Sequence, residues 1–176
     1  MIDKFKNFQA QIVPNPLSIE VVKAEGSYIY GKNKKYLDFV AGVSVCNIGH
    51  SNKKVFRAVS NQLKKYSHVM VYGEFVQEPS VNLCELLVKN LPYSLNSVYL
   101  TNSGTEAVEA ALKISKRITG RSKIVSAKNS YHGSTHGSLS VSGYESRKRA
   151  YRPLLPNIEY LEFNCDDLSV IDENTA

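Results

Sequence analysis

The stretch that decides the fold runs from Ser97 to Val125, SVYLTNSGTEAVEAALKISKRITGRSKIV. It opens on SVYLT (Ser97–Thr101), short, apolar and rich in β-favouring side chains. NSGTEA follows, and then a helical run. Ala107, Ala110, Ala111, Ile114 and Ile118 recur at three- and four-residue intervals, so they share one face of a helix. Gly120 stands where a left-handed C-cap is needed. KIVSA (Lys123–Ala127) begins a second strand at once. A strand, a crossover helix and a strand of these lengths imply a parallel sheet with covering helices, an α/β fold.

Downstream, KNSYHGSTHGSLSVSG is turn-rich, and IEYLEF (Ile158–Phe163) reads as a third strand. Upstream, a helix is expected near Pro79, where proline suits the first turn. Val81, Leu83, Cys84, Leu87 and Val88 form its apolar side, and LPYSLN ends it. A further helix starts at Ser51, with Val55, Val59, Leu63 and Tyr66 on one face. Residues 19–40 read as small antiparallel strands around Gly26 and Gly31, the last being YLDFV (Tyr36–Val40). A glycine-containing bend, AGVSVCNIGH, follows. The expected division is an amino-terminal segment over 1–50 and a larger α/β domain over 51–176.

Two places could carry chemistry. Asn102-Ser103-Gly104-Thr105 lies between a strand and a helix. The first amides of a helix lack intrahelical acceptors, and the macrodipole is positive there. Gly104 lets the backbone approach an anion, while Ser103 and Thr105 add hydroxyl donors, so the four residues can form a phosphate cup. An ordinary N-cap, with Glu106 in the first turn, explains the same residues. Tyr131 follows the next strand, at the end of a parallel sheet where α/β folds bind ligands, although a loop tyrosine packed on the core explains it equally. Cup and ring together suit a planar aromatic ligand bearing a phosphate. His132 and His136 stand four apart between glycines without a third ligand, so no metal site is read there. Cys46 and His50 lack a catalytic partner, and no GxSxG elbow, Walker A loop or GxGxxG is present.

The composition sets the outer limits. With 176 residues, 43% of them hydrophobic and 22% charged, the chain is globular material for about one domain. No apolar run reaches the ~18 residues of a membrane span, and the start MIDKFKNFQAQIVPNP lacks the apolar centre of a signal peptide. Three separated cysteines (Cys46, Cys84, Cys165) offer no disulfide framework, and a cytoplasmic protein is expected. The net charge of +6 is uneven. Ten basic residues and one acid lie between Leu112 and Arg152, and six acids and no base between Pro153 and Ala176. The basic block has no interleaved stacking aromatics, so it reads as a solvated surface or a small-anion cleft rather than a nucleic-acid interface. Balancing charge beyond the chain end is a further reading.

NSGTEAVEAALKISKRITGRSKIV, followed by YHGSTHGSLSVSG, resembles the class III aminotransferases, pyridoxal 5′-phosphate enzymes of fold type I. GSYIYGKNKKYLDFVAGVSVCNIGH is similar to their amino-terminal segment. The three motifs are collinear, and the resemblance runs from about Val21 to the end. It implies the amino-terminal part of a fold type I large domain, preceded by a small antiparallel segment. It also implies that Ser103, Gly104 and Thr105 hold the phosphate of pyridoxal 5′-phosphate, and that Tyr131 stacks on its ring. The activity implied is transfer of an amino group from an amine or amino acid to a 2-oxo acid, in a homodimer.

Departures from the family pattern qualify this. Acetylornithine, ornithine and 4-aminobutyrate relatives commonly carry an arginine carboxylate clamp three residues after the stacking aromatic. Here that position is Ser134, which lacks a guanidinium's fork. A proline usual after the G-H turn is absent from GHSNKKV. The family's later aspartate and Schiff-base lysine have no counterpart in these 176 residues, so the chain by itself is expected to be an inactive amino-terminal fragment. A non-catalytic phosphate-ligand-binding or interaction module is the alternative.

Overall fold

A computed structural model describes residues 1–70 and 73–162. The chain divides into two compact units, Met1–Val76 and Gln77–Ala176.

The first unit opens with helix α1 (Ile2–Phe8), for which the sequence carried no periodic signal. An antiparallel sheet follows: β1 (Val21–Glu25), β2 (Tyr28–Gly31) and β3 (Lys35–Leu37), in sequential order. Gly26 turns β1 into β2 with a φ of +56°. The expected strand Tyr36–Val40 ends early, at Leu37. Asp38 ends it, because its carboxylate turns back to accept the amides of Val40 (3.0 Å) and Ala41 (2.9 Å). The other carboxylate oxygen meets His50 Nε2 at 2.7 Å. The bend between them, α2 (Ala41–Ser44), is a left-handed turn, with φ values of 48°, 62°, 62° and 66°. Left-handed backbone costs a non-glycine residue about 1–2 kcal/mol. The Asp38–His50 clip and the bridge between Gly26 and His50 close the turn at its two ends. His50 thus has an acidic partner, and the pair is a structural clasp.

Helix α3 (Lys53–Lys65) begins two residues later than expected. Ser51 has a φ of +55°, and Asn52 is the cap, accepting the amides of Lys54 and Val55.

The second unit begins with α4 (Glu78–Lys89), which has proline in its first turn as expected. SVYLT is not a strand: its backbone forms no ladder among the described residues. A strand exists only through a partner, and the parallel sheet among the described residues holds two strands, β4 (Ile124–Ala127) and β5 (Ile158–Leu161). Their register is Ile124 opposite Ile158 through Ala127 opposite Leu161. Phe163, the expected end of β5, lies outside the described residues. Helix α5 (Gly104–Thr119) runs as read, from the Ser103 cap to Gly120 at φ +70°.

The connection from β4 to β5 is not merely turns. It contains α6 (His136–Val141) and the single turn α7 (Glu145–Lys148). Gly133, Gly137–Ser142 and Lys148 are buried, so the best-covered part of the unit is polar. Each buried group is paired. Ser140 Oγ donates to the His136 carbonyl and accepts the Leu155 amide, and Ser126 Oγ donates to the Val141 carbonyl. Lys148, 3% exposed, donates to the Ser142 carbonyl and to the Tyr160 hydroxyl, which itself donates to the Ser140 carbonyl. A buried ammonium without such acceptors would be strongly destabilising. By contrast, Val55, Val59 and Leu63 on α3, Val81 and Leu83 on α4, and Ile114 on α5 are exposed. No helix among the described residues is long and apolar enough to cross a membrane.

Candidate functional site

Ser103 is extended, at φ −155°, and its hydroxyl oxygen accepts the Glu106 amide at 3.2 Å. Glu106 reaches back in turn, its Oε2 accepting the Asn102 amide at 2.8 Å. This reciprocal arrangement is close to a capping box. It leaves the Gly104 and Thr105 amides without a protein acceptor among the described residues. A Cβ at Gly104 would meet nothing within 4 Å, so the approach to these amides is open. The cap and the cup are therefore not rivals: Glu106 uses the Ser103 oxygen, and two amides remain for an anion. The Ser103 hydroxyl hydrogen also remains available.

Thr105 does something the sequence did not reveal. Its hydroxyl lies 2.6 Å from Ser138 Oγ and 2.9 Å from Thr135 Oγ1, so it is engaged with α6. Its amide, not its hydroxyl, faces the open cup. Gly133 packs against the same side chain, and a Cβ there would fall 2.1 Å from Thr105 Oγ1. The loop that carries Tyr131 is thereby pressed onto the first turn of α5.

Tyr131 is 57% exposed, so its ring is not buried in packed interior. Its hydroxyl meets Ser134 Oγ at 3.0 Å. The Arg147 guanidinium lies 5.6 Å from the Tyr131 ring centroid and equally far from that of Tyr144, within cation–π range.

Beneath this loop sits Glu109, one turn after Thr105 on the same face of α5. Its Oε1 accepts the Thr135 hydroxyl, the Gly137 amide (2.9 Å) and the Ser138 amide (3.0 Å). The Thr135 hydrogen bond, helped by the two amides, holds the Glu109 carboxyl below its ordinary range. The four-residue spacing of Thr105 and Glu109 was the available signal. What it pointed to, 26 to 29 residues downstream of Glu109, could not be read locally.

The residues 9–175 match the family described as aminotransferase class-III. The chain belongs to the class III aminotransferases. It is 39% identical over 160 residues to the [LysW]-aminoadipate semialdehyde/glutamate semialdehyde transaminase of Sulfolobus acidocaldarius, a match covering 90% of this chain and 41% of that protein. It is 38% identical over 161 residues to the acetylornithine aminotransferase of Archaeoglobus fulgidus, covering 90% and 42%. Among solved structures, the adenosylmethionine-8-amino-7-oxononanoate aminotransferase of Methanocaldococcus jannaschii superposes with a TM-score of 0.81 at 30% identity, covering 92% of this chain and 40% of that one. The omega transaminase of Pseudomonas jessenii, solved in complex with PMP, gives 0.80 at 26% identity, covering 89% and 38%. The chain spans about two fifths of the length of these aminotransferases. Their likeness supports the fold type I α/β architecture.

The donor set fits a phosphorylated cofactor. Two open amides at the start of a 16-residue helix, the Ser103 hydroxyl and an exposed tyrosine ring answer a dianion joined to a flat heterocycle.

Proposed function

We propose that this chain forms the pyridoxal 5′-phosphate-binding part of a transaminase that moves an amino group from an amine or amino acid to a 2-oxo acid. One observation carries the reading. The Gly104 and Thr105 amides stand open at the α5 N-terminus, and Gly133 ties the Tyr131 loop to that same turn. Pyridoxal 5′-phosphate, when bound, supplies the electron sink that makes amino transfer possible.

The chain's own residues anchor and orient. The Gly104 and Thr105 amides and the Ser103 hydroxyl hold the phosphate, and the α5 dipole favours its charge. Tyr131 would lie against the ring of the bound cofactor. Its hydroxyl, tethered to Ser134, limits rotation of the side chain. Ser134 cannot grip a substrate carboxylate bidentately, which argues against the carboxylate-clamping substrates of acetylornithine-type relatives. The division we propose is functional: residues 1–50 serve a smaller domain and a homodimer interface, and 51–176 serve the cofactor. The exposed apolar side chains Phe39, Val40, Val43 and Val45 support an interface at the left-handed turn. A cytoplasmic setting accords with the free thiols of Cys46 and Cys84.

The test is binding followed by turnover. The native-length protein is titrated with pyridoxamine 5′-phosphate, and transfer of the amino group to 2-oxo acids is then measured. Saturable binding and amino transfer are expected. A protein that binds neither pyridoxamine 5′-phosphate nor pyridoxal 5′-phosphate would refute the proposal.

A further inference from the structure

Glu109 touches neither the open amides nor the Tyr131 ring, yet it gathers the segment between them. Three donors converge on its Oε1: the Thr135 hydroxyl and the amides of Gly137 and Ser138. The Thr135 hydroxyl also meets Thr105 Oγ1, and Ser138, whose amide serves the carboxylate, meets Thr105 through its own hydroxyl. The carboxylate and the Thr105 hydroxyl thus form one network of four side chains across α5 and α6. Glu109 takes the place of an N-cap for α6, accepting the amides of its first turn. The helix has six residues, two of them serine and one glycine, and it has no side-chain cap of its own. The glycine is required by the carboxylate, since a Cβ at Gly137 would fall 2.2 Å from Glu109 Oε2.

The far end of α6 closes the same loop. Ser142 Oγ donates to the Ser138 carbonyl and accepts the His132 amide at 3.0 Å, and the Gly143 amide donates to the Ser130 carbonyl. The residues on either side of Tyr131 are therefore held by the end of α6, whose first turn is held by Glu109 and whose last turn is held by Ser126, Leu155 and Tyr160.

We infer that Glu109 is a positioning residue: its carboxylate, acting through Thr135, Gly137 and Ser138, sets the Tyr131 ring over the phosphate-binding turn of α5. The inference rests on the cofactor reading proposed above and deepens it. Glu109 gives the ring its place and leaves the phosphate to the amides of Gly104 and Thr105. Removing it loosens ring stacking and spares phosphate binding.

The test uses two probes on the native-length protein. Inorganic phosphate reports on the α5 amides alone, and pyridoxamine 5′-phosphate reports on amides and ring together without needing a covalent link. Glu109→Ala should lose about tenfold or more in pyridoxamine 5′-phosphate affinity, because three charge-assisted bonds go at once, with phosphate affinity held within about twofold. Gly137→Ala, which pushes the carboxylate out of its place, should reproduce that split. Glu109→Gln, which keeps an acceptor oxygen, should recover most of the affinity. Equal weakening of both probes would assign Glu109 to general stability and overturn the inference. So would unchanged pyridoxamine 5′-phosphate binding in Glu109→Ala. If Glu109→Ala does not fold, the Gly137→Ala and Glu109→Gln titrations decide by the same criterion. A native protein that binds no pyridoxamine 5′-phosphate removes the cofactor reading itself, whereas native binding with an indifferent Glu109 removes the positioning role alone.

Discussion

Asp38 concentrates three contacts on one carboxylate: the amides of Val40 and Ala41, where the left-handed turn begins, and the imidazole of His50. The His50 hydrogen bond, followed by that from the Ala41 amide, holds the Asp38 carboxyl below its ordinary value of 3.8. A native pKa lower than the unfolded one means that the folded state prefers the ionised form. The stabilisation is fully present above the unfolded value and is lost as pH falls through the lower, folded one. Thermal unfolding followed between about pH 5 and pH 2 should therefore show an acid-side drop in melting temperature. Asp38→Asn should lower stability near neutrality and flatten that drop. A variant whose acid limb is as steep as the parent's would show that the clasp contributes nothing to it.

At the scale of the element, α5 was legible from cap to cap because its signals are local. Ser103, Glu106, the apolar face and Gly120 all lie within the helix or beside it. SVYLT reads as a strand from its side chains alone, but strand identity depends on a partner, and hydrophobicity does not supply one. Helix α6 was missed for the opposite reason. Its sequence, HGSLSV, is a poor helix former, and its amides are satisfied by Glu109 from another element. The site followed the same pattern. Gly104 and Tyr131 stand out as candidates from local context, while what Thr105 and Glu109 touch depends on which helix each meets.

Cap and cup can be separated on α5 by substitution. Aspartate and asparagine both cap well, so Ser103→Asp and Ser103→Asn should keep the helix, whereas Ser103→Ala should cost about 1 kcal/mol in denaturant unfolding. Aspartate also brings a negative charge to the two open amides. Ser103→Asp should thus abolish inorganic phosphate and pyridoxamine 5′-phosphate binding at unchanged stability, and Ser103→Asn should retain both. Undiminished anion binding by the aspartate variant would place the phosphate elsewhere.

At the scale of the whole molecule, charge and apolar surface behave differently. Part of the basic block finds its counterions inside the chain: Lys123 meets Glu159 at 3.0 Å and Lys128 meets Glu162 at 2.8 Å, at either end of the β4–β5 ladder. Arg152 is paired with Glu145. Such exposed pairs contribute about 0.2–1 kcal/mol each and are screened by salt, so they neutralise the surface more than they stabilise the fold. The apolar faces have no equivalent compensation. Phe39, Val43, Val45, Ile48, Val59, Leu63 and Ile118 are all more than half exposed, while Leu139 and Val141 are the large aliphatic side chains that are buried among the described residues. Water exclusion drives such surfaces together at roughly 25 cal/mol per Å² of area covered. The 176-residue polypeptide, made by itself, should therefore self-associate on size-exclusion chromatography and brighten a hydrophobic dye. Added salt should strengthen that association, because it screens the repulsion of a +6 chain without weakening apolar contact. A sharp monomer peak that leaves the dye dark would mean that these faces are covered within the chain itself, and the proposed interface at the left-handed turn would fall with that result.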